Sequence, residues 1–221
     1  MVRAFHGHFS EKVGSSMSHE IYVFGSVCRG ESTPTSDVDV LVVPFEVDSS
    51  QFPQSWSVYS PELLAEYFKA GRLFAWHLHL EAKCVYSSRS ESFLTSLGPP
   101  APYSTIADDI ADLDALLNEA TTELASGTEN VIYELGIVYT AIRDLAMSVS
   151  WSLLGSPCFS ADAPYRLPLD PPLPRDVYDQ TMVARHASTR GSQVNFDPSI
   201  TAKIVTHAPL ENWVASLREA I

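Results

Sequence analysis

Basic residues are scarce in this chain. Fourteen Lys and Arg stand against 27 Asp and Glu in 221 residues, giving a formal net charge of −13. A nucleic acid is held through its phosphates by Lys and Arg, so the balance argues against a nucleic-acid partner and favours a small-molecule, cationic or protein one. Cysteine is scarcer still. Cys28, Cys84 and Cys158 are odd in number and form no CxxC pair, which excludes a disulfide framework and a zinc knuckle. No apolar run reaches the roughly 18 residues that a membrane span needs, and residues 1–8 lack the apolar core of a secretory signal. A soluble, cytoplasmic protein without a membrane partner is therefore expected. Hydrophobic residues make up 45% of the chain, enough for a substantial core.

Hydrophobic pattern divides what is present into two halves. Apolar runs at 20–25 and at 38–45, the second rich in Val and closed by Pro44, read as buried strands. A short strand is expected at 55–59. Ser60-Pro61-Glu62 then has the form of a helix start: Ser as N-cap, Pro at the first helical position, an acid in the first turn. Its apolar face continues through Leu63, Leu64, Tyr67 and Phe68 to Leu73 and Phe74, with Gly71 a weak point, and a strand follows near 83–86. Gly98-Pro99-Pro100-Ala101-Pro102 breaks any regular element. Beyond it, apolar residues recur every three or four positions at 105–124 and again at 129–154, which predicts two amphipathic helices. The prolines at 164, 168, 171, 172 and 174 exclude regular structure across 161–174. Helices near 174–188 and 208–220 complete an α/β front half and a helical rear half.

The chemistry concentrates near the start. Ile21-Tyr22-Val23-Phe24 ends in Gly25-Ser26; ten residues later Asp37-Val38-Asp39 opens the second strand. On a strand, residues two apart share a face, so Asp37 and Asp39 project side by side. Two such carboxylates repel unless a cation sits between them, and hard oxygen donors suit Mg2+. Gly25 lets backbone approach a phosphate closely, Ser26 adds a hydroxyl, and Arg29 can clamp a phosphate oxygen.

The pattern Phe24-Gly25-Ser26, ten residues, Asp37-Val38-Asp39-Val40 resembles the nucleotidyltransferase superfamily typified by DNA polymerase beta. Arg29-Gly30 and Ser36 resemble its minimal members. The resemblance implies an α+β fold: an N-terminal mixed sheet with flanking helices at 1–97, a linker at 98–104, and a C-terminal helical bundle at 105–221. It also implies Mg2+ held by Asp37 and Asp39, a nucleoside triphosphate (ATP by expectation) held by Gly25, Ser26 and Arg29, and NMP transfer to a hydroxyl of a small molecule or protein. Such domains normally add a third carboxylate from a later strand. Here Ser57 stands near that position, and Glu46, Asp48, Glu62 and Glu81 are the acids outside it.

Other residues carry weaker signals. His77, His79 and Glu81 would share one face of a strand and could hold a metal, whereas on a helix only His77 and Glu81 align; the spacing favours helix. Arg143 and Asp144 would line a cleft between the halves or form an ordinary ion pair. No His follows Arg143 at the spacing of the ribonuclease motif found in some accompanying helical domains. His186 and Arg190 could approach a ligand. Two alternatives to the enzyme stay open: a catalytically degenerate nucleotide-binding regulator, and a helical interaction module that forms a homodimer.

Overall fold

The computed structural model describes residues 18–32, 38–45, 49–191 and 193–221. The front half is a four-stranded mixed sheet in the order β3-β2-β1-β4. β1 (His19–Phe24) runs antiparallel to both β2 (Asp39–Pro44) and β4 (Lys83–Ser87), and β2 is parallel to β3 (Ser57–Val58). Tyr22 and Phe24 of β1 pair with Leu41 and Asp39 of β2. Period-two alternation sends Tyr22, Phe24, Leu41 and Val43 into one core with Leu64, Phe68, Ala75 and Leu78. Those last four come from α2 (Pro61–Lys69) and α3 (Leu73–Glu81), which cover that face of the sheet. The Ser60 hydroxyl accepts from the Leu63 amide at 3.2 Å, and Pro61 occupies the first turn, as the sequence pattern predicts.

Glu20 shares the buried face of β1 with Tyr22 and Phe24 although it is an acid. It is a fully buried carboxylate in β1. Burial is tolerated because its oxygens are surrounded by donors: the Tyr22 hydroxyl, the Ser87 hydroxyl at 2.9 Å and the Phe93 amide at 2.7 Å. These bonds tie α4 (Phe93–Ser96) to the sheet.

Gly71 is the break between α2 and α3. Its φ is +64°, and a Cβ there would strike the carbonyl oxygens of Ala101 and Pro102. The connecting stretch is thereby pressed onto the front half, where the Ala101 amide donates to Phe68 O and the Trp76 indole N–H to Ala101 O, both at 2.9 Å.

The rear half has its own core, centred on α6 (Val131–Leu154) between α5 (Ile106–Ser126) and α8 (Arg175–Arg190). Gly127 and Gly155 end α5 and α6 in the left-handed conformation. Inside α6, Gly136 lets α8 approach so closely that a Cβ would lie 2.9 Å from the Arg185 Cα. Two helices of the rear half were not expected from the sequence. α7 (Ala163–Arg166) forms within the proline-rich stretch because Pro164 lies in its first turn, where no amide is needed. α9 (Pro198–Thr206) starts on an Asp197 cap, and α10 (Leu210–Glu219) ends the fold. No described helix is long and apolar enough to cross a membrane.

Candidate active site

A cleft of about 980 Å³ lies between the halves. Phe24, Gly25, Ser26, Arg29 and Asp39 line it from the front half; Asp112, Tyr139, Arg143, Asp144 and Arg166 are among its lining residues from the rear. The register explains why Gly25 and Asp39 meet. Phe24, the last residue of β1, pairs with Asp39, the first of β2, so the turn after β1 faces the head of β2. Gly25 has φ 73° and ψ −149°, a region essentially closed to residues with a side chain. A Cβ at Gly25 would land on the Asp39 carboxylate. Ser26 begins the single-turn helix α1 (Ser26–Arg29), and Gly30 closes it in the left-handed conformation. The chain then doubles back, with the Glu31 amide donating to Ser26 O at 2.9 Å, which brings the Glu31 side chain alongside Arg29.

Arg29 is held from two sides. Its Nε donates to Glu31 Oε2 at 2.8 Å and its Nη1 to Glu81 Oε2 at 2.6 Å. Glu81 also bonds His77 Nε2 at 2.9 Å, the i,i+4 pair expected on a helix. His79 turns elsewhere, packing edge-on against Phe68 and Trp76. The His77 ring stacks on Phe159 of the rear half at 4.3 Å and 15°. Arg166, also from the rear half, donates through Nη2 to Glu31 Oε1 at 2.5 Å. Burial pushes the Glu31 carboxyl up, but hydrogen bonds from Arg29, Arg166 and Ser160 outweigh it and hold the group below its ordinary value of 4.5.

On the opposite wall, Arg143 Nε donates to Asp144 Oδ1 at 2.7 Å, and the guanidinium lies 5.4 Å from the Tyr139 ring centre. Burial alone would lower the Arg143 pKa; the Asp144 charge and hydrogen bond raise it above the ordinary value. Asp162 accepts from Arg175 Nη2 at 2.8 Å. Both readings of Arg143 and Asp144 thus hold together: they are an ion pair and they line the cleft. His186 lines it too, while the Arg190 side chain falls outside the described part.

Of the sequence-expected site residues, the structure brings Gly25, Ser26, Arg29 and Asp39 to one cleft. Asp37, the other expected metal ligand, lies outside the described residues, as do Ser36, Glu46 and Asp48. The Asp39 carboxylate is an oxygen donor at the cleft edge, seated where Gly25 leaves room, and this fits one half of a Mg2+ ligand pair. β3 brings Ser57 opposite Leu41, one alternation step beyond Asp39. Sequence reasoning missed Glu31, Phe159 and Arg166. Glu31 and Arg166 are 135 positions apart, and no local spacing announces such a pair.

A mixed four-stranded sheet with flanking helices, followed by a helical bundle, is an α+β fold. Residues 2–75, which contain both halves of the Gly-Ser and Asp-x-Asp pattern, match the family model of the nucleotidyltransferase domain. No curated protein matches the chain. Among solved structures, the spectinomycin adenyltransferase AAD(9) from Enterococcus faecialis, determined with ATP and spectinomycin, is similar at 14% identity and a TM-score of 0.44. The match covers 87% of this chain and 91% of that one.

Proposed function

We propose that this protein transfers NMP from a nucleoside triphosphate, ATP by expectation, to an acceptor hydroxyl with Mg2+ bound by Asp37 and Asp39. The observation that carries this is the contact between Gly25 and Asp39, which unites the phosphate turn and the acidic strand at one edge of the cleft. Gly25 and Ser26 receive the triphosphate, and Arg29 grips a phosphate oxygen through its guanidinium. Bound Mg2+ supplies charge neutralisation on the phosphates. Asp39, the first residue of β2, would hold that ion at the cleft edge. Residues 1–97 form the catalytic domain, 98–104 the linker and 105–221 the helical domain. The separate cores on either side of the connecting stretch support that division.

The acceptor, a small molecule or a protein, enters against the helical wall. The formal net charge of −13 and Asp112 on that wall favour a cationic acceptor, Asp144 and Asp162 being paired with Arg143 and Arg175. Incubation with Mg2+ and each labelled triphosphate should release pyrophosphate in the presence of acceptor. Asp39→Asn should abolish Mg2+-dependent nucleotide binding while keeping the wild-type circular dichroism spectrum; full activity in that variant would sink the metal assignment.

A second reading is favoured by one observation: β3 carries Ser57 where a third carboxylate is expected. On that reading the domain binds triphosphate and signals its presence through the helical half. Tight binding without turnover over hours would select it. A stable dimer with no nucleotide-induced thermal shift would select the interaction module instead.

A further inference from the structure

Glu31 belongs to no motif, yet its carboxylate bridges two guanidinium groups from opposite walls of the cleft. Arg29 Nε donates to one oxygen at 2.8 Å and Arg166 Nη2 to the other at 2.5 Å. Arg29 sits one turn beyond Gly25-Ser26, and Arg166 ends α7 in the helical half. All of these residues line the same cleft. Two arginines converging on one anion in a pocket is the arrangement that recognises phosphate. Here the anion belongs to the chain itself.

We propose that Glu31 stands in for a phosphate: in the nucleotide-free protein it fills an anion subsite made by Arg29 and Arg166, and the terminal phosphate of an incoming triphosphate displaces it. The proposal rests on the nucleotidyltransferase reading above and assigns the subsite that the terminal phosphate takes.

Three features of the structure carry it. Glu31 can leave, because its side chain is 28% exposed and lies just past the glycine that ends α1, on the cleft rim. Arg29 keeps its aim without Glu31, because Glu81 holds Nη1 at 2.6 Å and His77 holds Glu81 at 2.9 Å. The vacated Nε edge therefore stays directed into the cleft. The exchange also favours phosphate in charge and in number of acceptors, since a terminal phosphate offers three oxygens and more negative charge than one carboxylate. Two consequences follow for binding. Triphosphate affinity is reduced by the fraction of protein in which Glu31 occupies the site. Because Arg166 comes from the other half, the bound phosphate replaces Glu31 as the link between α7 and the phosphate turn.

Titration calorimetry with Mg2+-ATP on wild type, Glu31→Gln and Arg166→Gln tests this. Both substitutions weaken the same tie between the halves, so a purely structural tie would shift affinity in the same direction in both. Displacement requires opposite signs: Glu31→Gln should tighten ATP about five-fold, and Arg166→Gln should weaken it about ten-fold. Weakening in both variants, or no change in either, overturns the proposal while leaving the nucleotidyltransferase reading intact. Failure of wild type to bind any of the four common triphosphates with Mg2+ overturns both. Thermal unfolding of each variant confirms that the affinities are those of folded protein.

Discussion

Gly25 meets two demands that no other residue meets together. Its backbone occupies a region of φ and ψ closed to side chains, and the space a Cβ would fill is taken by the Asp39 carboxylate. Gly25→Ala should therefore cost about 1–2 kcal/mol of stability from backbone strain. It should lower kcat/KM by far more, about a hundred-fold, because displacing Asp39 by even an ångström misaligns the reacting groups. Urea unfolding and steady-state kinetics on the same preparation separate the two effects; loss of stability with unchanged kcat/KM would refute the catalytic assignment. The pairing of Gly25 with Asp39 was legible in the sequence because strand alternation and a short turn leave few ways to arrange the motif. Glu31 and Arg166 were not, because ion pairs between distant segments depend on how two independently folded surfaces meet. Glu20 carries no signal of its own within the apolar run at 20–25, and only its three donors explain how a carboxylate sits on the buried face of β1.

Among the elements, α6 organises the rear half, and α8 packs against it at Gly136. The distance from a Gly136 Cβ to the Arg185 Cα would be 2.9 Å, against backbone that cannot rotate away. Gly136→Ala gains helix propensity, about 1 kcal/mol, but must push α8 outward, and overpacking of this kind costs about 1–3 kcal/mol. Net destabilisation is expected, with a lowered melting temperature. The same change also shifts Met182 and His186, which α8 contributes to the cleft. A variant more stable than wild type would show that the two helices are not packed as described. The long helices were legible from their three-to-four periodicity, and α2 from its Ser60-Pro61 cap. The one-turn α7 was not, because proline density reads as irregular chain unless the prolines fall in a first turn, as Pro164 does.

For the whole molecule, buried phenols set the response to alkali. Burial raises Tyr22, Tyr103, Tyr139 and Tyr178 above the ordinary value of 10.0, and Tyr165 to about 12. The folded protein keeps these protons where the unfolded chain releases them. Their contribution is thus complete below about pH 10 and is lost as pH rises beyond it. Each such phenol steepens the fall by about 1.4 kcal/mol per pH unit until its own folded pKa is reached. The urea midpoint should hold steady up to about pH 10 and then drop sharply; a flat profile above that point would show the phenols to be solvated.

Trp76 and Trp151 face each other across the seam between the halves, edge to face at 4.7 Å. Indoles this close couple their electronic transitions, so the pair acts as an optical gauge built into the joint, one that reads the separation of the two halves without any added label.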